Sequence, residues 1–118
     1  LGDAVCSLYV RDHLLRDTTL NVRNLHGRSV SMVNAAAQAA ALRHLEANLS
    51  EDERDIVQRG RNTASRPPKN CDRAAYRQAT AFEALLGYLH LTNRQARIAE
   101  IMENAIEYWE ENYARNKA

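Results

Sequence analysis

The sequence has few cysteines, few glycines and prolines, and no long apolar run. Its two cysteines, Cys6 and Cys71, match no metal-ligand spacing and are too few for a secreted disulfide scaffold. We therefore expect reduced thiols and a reducing compartment. No apolar run reaches the roughly 18 residues that span a bilayer, and no charged-then-apolar leader precedes Leu1. We expect a soluble chain with no membrane partner.

The chain also lacks a strong excess of charge of one sign. Its formal net charge is +1 and its pI is about 8.0, which excludes a strongly basic, histone-like nucleic-acid binder. With 45% apolar residues it can bury a core without disulfide or metal support. We expect one domain over residues 1–118, in which any basic surface is local. Because the chain begins at Leu1 without methionine, we also expect that some native residues or a leader precede it.

Alanine, leucine, arginine and glutamate dominate instead, in patterns typical of α-helices. A first helix is predicted from about Leu1 to Leu15, ending near Asp17-Thr18-Thr19, and a short turn or helix is predicted from Val22 to Arg28. Ser31 is predicted to cap a long helix that runs through Leu45.

The second half of the chain has clearer boundary signals. Ser50-Glu51-Asp52-Glu53 has the spacing of a capping box, and its helix is predicted to end near Gly60. An exposed loop should follow, and Asp72 can cap a helix that runs to about Leu91. A second capping-box pattern, Thr92 to Gln95, is predicted to open a final amphipathic helix. The fold class is therefore expected to be all-α, with five or six helices.

Two carboxylates stand alone in apolar helices. Asp3 is the only charged residue among the first ten, and Glu83 is the only one from Ala79 to Leu91. A carboxylate in such surroundings loses hydration, so it should protonate, pair with a base or bind a cation. Small residues flank both acids, so the two helices could cross closely and bring the acids together. Two converging carboxylates favour a hard cation such as Mg²⁺.

The alternative is that Asp3 and Glu83 make ordinary salt bridges, for example with Arg11 or Arg77. Composition and spacing leave both interpretations open.

Two motifs, which occur in the same order as in a known family, favour the metal-binding interpretation over the salt bridges. Leu1-Gly2-Asp3-Ala4-Val5 resembles the end of the signature of the ribonuclease III catalytic domain, and Thr80 to Gly87 resembles the second acidic motif of that family. Further stretches are similar to its Mini-III branch, which lacks the double-stranded-RNA-binding domain: Tyr9-Val10-Arg11, His13-Leu14-Leu15, Leu25-His26, Arg59-Gly60-Arg61-Asn62, Pro68-Lys69-Asn70 and Tyr76-Arg77. The set covers most of residues 1–91.

The resemblance implies an all-α bundle like the ribonuclease III endonuclease domain, working as a homodimer. It implies a Mg²⁺-dependent endoribonuclease, with Mn²⁺ as a substitute, that hydrolyses double-stranded RNA. Carried over residue by residue, Asp3 and Glu83 become the catalytic residues and metal ligands. The branch is associated with maturation of the large-subunit (23S) ribosomal RNA precursor, which makes that RNA the expected partner and a ribosomal protein a further one. The expected location is the bacterial cytoplasm, or an organelle such as the plastid if a transit peptide has been removed.

The chain departs from the full-length ribonuclease III pattern at two places. It lacks the glutamates that precede Gly2-Asp3, and Thr80 stands where an aspartate is usual. With two acidic ligands per subunit, metal affinity without RNA is expected to be weak, because water and RNA phosphate have to complete the coordination.

Basic residues are concentrated between Arg54 and Arg77, whereas the last helix is rich in glutamate. Duplex RNA is gripped mainly through phosphates and 2′-hydroxyls, which suits arginine, lysine and asparagine on an exposed loop. We nominate five residues for RNA contact: Arg59, Arg61, Asn62, Lys69 and Asn70. The alternative is a solvated loop whose charges only keep the protein soluble.

Two other functional classes remain as rivals. One is a non-catalytic dimeric helical protein that binds structured RNA, and the other is a plain protein-interaction bundle. The four histidines lack the spacing of a zinc site, and neither a serine nucleophile with a base nor a glycine-rich phosphate loop is present.

Overall fold

A computed structural model describes residues 1–17 and 21–117 of the chain. Within these residues the protein is all-α, as expected, and contains no strand. The described residues form six α-helices and one short 3-10 turn, Glu46–Asn48. The helices are α1 Gly2–Leu15, α2 Val22–Val33, α3 Ala35–Leu45, α4 Glu51–Thr63, α5 Arg73–Leu91 and α6 Gln95–Lys117.

The long helix predicted to begin at Ser31 is wrong, because the chain breaks at Asn34. The backbone of Asn34 is extended, and its side chain accepts a hydrogen bond from the Ala37 N–H at 2.8 Å, so Asn34 caps α3. Ser31 lies inside α2, where its hydroxyl donates to the Arg28 carbonyl. Both residue types cap helices well, so the local sequence did not distinguish them. Thr18 and Thr19, near the predicted end of the first helix, lie outside the described residues.

The helix starts predicted at Ser50 and Asp72 are confirmed. The Glu53 N–H donates to Ser50 Oγ at 3.2 Å and the Ser50 N–H donates to Glu53 Oε1 at 2.9 Å, which completes the capping box. Asp72 Oδ1 accepts hydrogen bonds from the first N–H groups of α5. The predicted end of α4 at Gly60 is wrong, since the helix continues to Thr63 and the connecting loop spans residues 64–72.

The capping box predicted at Thr92 is also wrong. Thr92 ends α5, and its hydroxyl donates back to the Tyr88 carbonyl at 2.8 Å. Asn93 adopts a left-handed conformation with φ 58°. The Arg94 N–H then reaches the Leu89 carbonyl at 2.8 Å, which satisfies the carbonyls at the helix end. Thr92 and Asn93 therefore mark the end of α5, and Asn93 takes the left-handed position that glycine usually occupies.

Helix α5 lies at the centre of the packing, in contact with α1, α3, α4 and α6. Its side chains Phe82, Leu85, Leu86 and Leu89 are fully buried in a core that every α-helix joins. This explains why α5 has the most apolar segment of the chain. None of the helices in the described part of the chain combines the length and apolar character that a bilayer crossing requires.

An ion pair fastens the end of the bundle where α4 begins. Glu53, only 2% exposed, accepts hydrogen bonds from Arg97 of α6 at 2.7 and 2.8 Å. Arg97 also donates to the Asn48 carbonyl. This guanidinium lowers the pKa of Glu53 below its ordinary value, because it favours the ionised carboxylate.

Candidate active site

Helices α1 and α5 cross with almost no space between their backbones. A Cβ atom on Gly2 would lie 2.6 Å from the carbonyl carbon of Glu83, so only glycine permits this approach. One turn further along α5, a Cβ on Gly87 would lie 3.5 Å from the Gly2 nitrogen. The close crossing predicted from the small residues is therefore confirmed.

This crossing brings Asp3 and Glu83 into the lining of one cleft, where the Asp3 carboxyl group is close enough to raise the pKa of Glu83. Burial, and after it the hydrogen bond and negative charge of Asp3, together raise the pKa of Glu83 to about 7. Two carboxylates at this distance resist simultaneous ionisation. The pair therefore holds a proton or requires a compensating positive charge.

The alternative of ordinary salt bridges does not describe this pair. In residues 1–17 and 21–117, no ion pair joins Asp3 or Glu83 to Arg11 or Arg77. Arg77 instead donates to the Arg61 carbonyl at 3.3 Å.

The donor set fits a magnesium ion that keeps much of its water. The part of the chain that the structure describes contains no group of three or more histidine, cysteine, aspartate or glutamate side chains arranged to hold a metal. Thr80, at the position of the missing aspartate, donates its hydroxyl to the Tyr76 carbonyl within its own helix. Mg²⁺ typically takes one or two carboxylates together with waters and substrate phosphates. A two-carboxylate site suits that chemistry if it is open to RNA.

The acid pair does open into a surface cleft of about 580 Å³. Its opposite wall is α4, which approaches α5 at a second glycine: a Cβ on Gly60 would lie 2.9 Å from Ala81 Cα. This approach places Arg59 in the cleft lining, with its side chain 74% exposed and paired with Asp55 at 3.2 Å. The cleft thus combines two acids with one accessible guanidinium.

Of the residues nominated for RNA contact, Arg59 alone lines this cleft. Arg61 is directed elsewhere: it donates to Gln78 at 2.8 Å, forms an ion pair with Glu46, and is 23% exposed. It lies in α4 and not in the predicted loop, so this boundary was wrong. Asn62 is also helical and accepts a hydrogen bond from Gln58. Lys69 and Asn70 are exposed in the loop, where Asn70 has φ 65°.

A second depression, of about 530 Å³ between α1 and α6, is more strongly acidic, with four carboxylates against Arg16 and His13. Its lining includes Asp12, Glu103, Glu107 and Glu110. Carboxylates so placed repel phosphate, so this side of the molecule is unsuited to RNA.

Gln38 is a site residue that sequence reasoning missed. It is 3% exposed, its side chain donates to the Cys6 sulfur at 3.8 Å, and its amide lowers the pKa of the nearby Glu83. The sequence did contain a sign of this role, because Gln38 is the only residue from 35 to 41 that is not alanine. Cys6 is a buried free thiol, and burial raises its pKa to about 12.

Comparison with known proteins identifies relatives over nearly the whole chain. A model of the family described as "Ribonuclease III domain" matches residues 1–94. The Mini-ribonuclease 3 of Symbiobacterium thermophilum is 42% identical over 111 residues, which cover 93% of this chain and 85% of that protein. The Mini-ribonuclease 3 of a Thermoanaerobacter species is 45% identical over 112 residues, covering 94% and 79%. The crystal structure of protein FN1578 from Fusobacterium nucleatum superposes with a TM-score of 0.82 at 29% identity, covering 91% of this chain and 86% of that one.

Proposed function

The chain belongs to the ribonuclease III family, among the Mini-ribonuclease 3 proteins, and from this premise we propose that it cuts double-stranded RNA internally in a Mg²⁺-dependent reaction. Family membership makes it an endoribonuclease of the ribonuclease III type and confirms the expected fold. The observation that carries the finer proposal is the convergence of Asp3 and Glu83 at the floor of an open cleft.

In this proposal Asp3 and Glu83 hold the metal ion, with Mn²⁺ as an acceptable substitute. When bound, the ion supplies Lewis-acid activation of water and positive charge for the scissile phosphate and departing 3′ oxygen. The two carboxylates would hold it in the cleft that they line. Arg59, on the facing wall, neutralises a neighbouring phosphate and fixes the register of the RNA strand. Products with 5′-phosphate and 3′-hydroxyl ends are expected.

The RNA-binding surface in this proposal runs from the cleft over the end of α4 and the loop that follows. Arg59, Asn62, Lys69 and Asn70 are all exposed there. The side chain of Arg61 supports them, because its bonds to Gln78 and Glu46 tie α4 to neighbouring elements. Because such contacts neutralise phosphates, affinity for duplex RNA should fall steeply with added salt.

We also propose that the protein works as a homodimer through the exposed side of α1. Leu1, Leu8 and Leu15 recur every seven residues and are 63%, 67% and 68% exposed. Leucines at this spacing form one stripe along a helix, and a second copy of the chain would remove the stripe from water. A dimer also supplies two cleavage sites for the two strands of a duplex.

The natural substrate we propose is the double-stranded region of the 23S ribosomal RNA precursor, with a ribosomal protein as a helper. The setting is the bacterial cytoplasm, or a plastid if a transit peptide has been removed. These assignments are supported by family membership alone. Mapping the 23S precursor ends produced by the purified protein would test them.

The catalytic proposal is tested by incubating the purified protein with a long double-stranded RNA and a matched single strand. Discrete fragments are expected from the duplex with Mg²⁺ or Mn²⁺, and none with EDTA. Ligation of the products to an adapter that requires a 5′ phosphate checks the polarity of cleavage. Duplex RNA that is bound but stays intact under all metal conditions would favour the rival function, a non-catalytic dimer that binds structured RNA.

A further inference from the structure

Gln38 is the one polar side chain in the alanine run of α3, and it faces the interior of the protein. Its exposure is 3%, and α3 packs against α5, α2 and α6. A buried amide destabilises a fold unless hydrogen bonds replace those it made with water. Alanine would serve the packing of this helix as well as it does at the six neighbouring positions. The presence of an amide at this position therefore directs attention to its neighbours.

Those partners lie on the two helices that carry the acid pair. The amide nitrogen of Gln38 donates to the sulfur of Cys6 at 3.8 Å, and Cys6 lies one turn after Asp3 on α1. The same side chain, on the helix that packs against α5, is close enough to the Glu83 carboxyl group for its amide to lower the pKa of that group. Gln38 thus connects α3 to both sides of the crossing that assembles the site.

The chemistry of an amide suits the support of a metal-binding carboxylate. Its –NH₂ group has two donors, so it can serve an acceptor on each helix at once, and it carries no charge that would compete with a cation. A carboxylate held through one lone pair keeps a fixed orientation and has its other lone pairs free for a metal ion. Hydrogen-bond partners of this kind orient metal ligands in many proteins.

We infer that Gln38 is a positioning residue for the cleavage reaction, because its amide holds the Glu83 carboxylate toward Asp3 and the cleft. The inference rests on the proposed function, since it supports the same pair of metal ligands. Gln38 acts through Glu83 and is too deeply buried to touch RNA.

The first test is the variant Gln38→Met, which keeps the length of the side chain and removes its hydrogen bonds. We expect kcat on duplex RNA to fall about 10- to 100-fold and the Mg²⁺ concentration for half-maximal rate to rise, with KM for RNA unchanged. The matched control is Leu42→Val, one turn further along α3 and fully buried, which loosens the same helix without touching the acids. Its kinetics should equal those of the parent protein.

The second test does not depend on RNA cleavage. In an NMR spectrum of the whole protein, the side-chain amide resonances of Gln38 should shift when Glu83 is replaced in Glu83→Gln. Those of the exposed Gln95 should stay in place. Gln38→Met cutting with parental kcat and metal dependence, or Gln38 resonances unmoved by Glu83→Gln, would overturn the inference. A parent protein that cuts no duplex RNA would instead reject the proposed function, and the NMR comparison would still decide whether Gln38 holds Glu83.

Discussion

Replacing Gly2 with alanine changes the distance between Asp3 and Glu83 but keeps both acids. The added Cβ would lie 2.6 Å from the carbonyl carbon of Glu83 and 2.9 Å from its Cα. Carbon atoms in contact are normally about 3.5 Å apart, and the Glu83 carbonyl oxygen lies nearer still to the added Cβ, so α1 has to withdraw from α5 by at least about 0.9 Å. Asp3 follows directly in the chain, so its carboxylate moves away from Glu83 with the helix. Both acids remain present, but their separation changes.

Two magnitudes follow from that displacement. Overpacking of this size typically destabilises a fold by about 1–3 kcal/mol, which leaves a domain of ordinary stability folded. A misplacement of about 1 Å in a catalytic constellation can lower the rate about 100-fold. Gly2→Ala is therefore expected to be a folded protein with strongly reduced cleavage.

Single-turnover cleavage of duplex RNA and thermal melting measure the two effects separately. The matched control is Gly27→Ala in α2, where the new Cβ meets no atom within 4 Å. Because alanine is favoured over glycine in a helix, this control should be about 0.5–1 kcal/mol more stable and cut at the parental rate. A Gly2→Ala protein that melts and cuts like its parent would refute the close crossing as the basis of the site.

Three further predictions concern stability, RNA binding and assembly. Arg97 lowers the pKa of Glu53 from its usual 4.5, so the pair stabilises the fold at neutral pH, and that stabilisation is lost as pH falls through the lowered pKa. In thermal melts, Glu53→Gln should destabilise the protein by about 2 kcal/mol at pH 7 and progressively less in acid. A difference that is the same at every pH would exclude the ion pair as its cause. Arg59→Ala should weaken duplex RNA binding and reduce its salt dependence by about one counterion, whereas Arg61→Ala should mainly lower the melting temperature; equal effects on binding would reject this distinction. Leu8→Glu should sediment as a folded monomer. If this variant still sediments as a dimer, the interface does not lie on the exposed side of α1.

Local signals predicted much of the secondary structure and missed the places where cues compete. Ser50 has Glu53 at the capping-box spacing, and Asp72 follows the two prolines of the loop, so both helix starts could be predicted from the sequence. Ser31 and Asn34 compete three residues apart, and the break falls at the second. Thr92 belongs to the end of one helix and not to the start of the next, because Asn93 takes a left-handed conformation that the sequence only permits.

The part of the site that could be predicted is the part with an unusual local sequence. Asp3 and Glu83 stood out as isolated acids among small residues, and this local pattern indicated the crossing. Gln38 could be noticed as the one interruption in a run of alanines, but its place beside Glu83 depends on the packing of α3 against α5 and could not be predicted from the sequence. The bonds of Arg61 to Glu46 and Gln78 join segments that are distant in the sequence, so they could not be predicted. Without them, the basic charge of Arg61 was the only guide, and it suggested an RNA contact.

The most direct test of the central claim compares cleavage and binding of one duplex RNA by Glu83→Gln. Glu111→Gln, the same change on the exposed part of α6, is the matched control. We predict that Glu83→Gln binds the duplex with nearly parental affinity and yields no Mg²⁺-dependent fragments, while Glu111→Gln cuts normally. Cleavage by Glu83→Gln at the parental rate would show that the acid pair is not the catalytic centre.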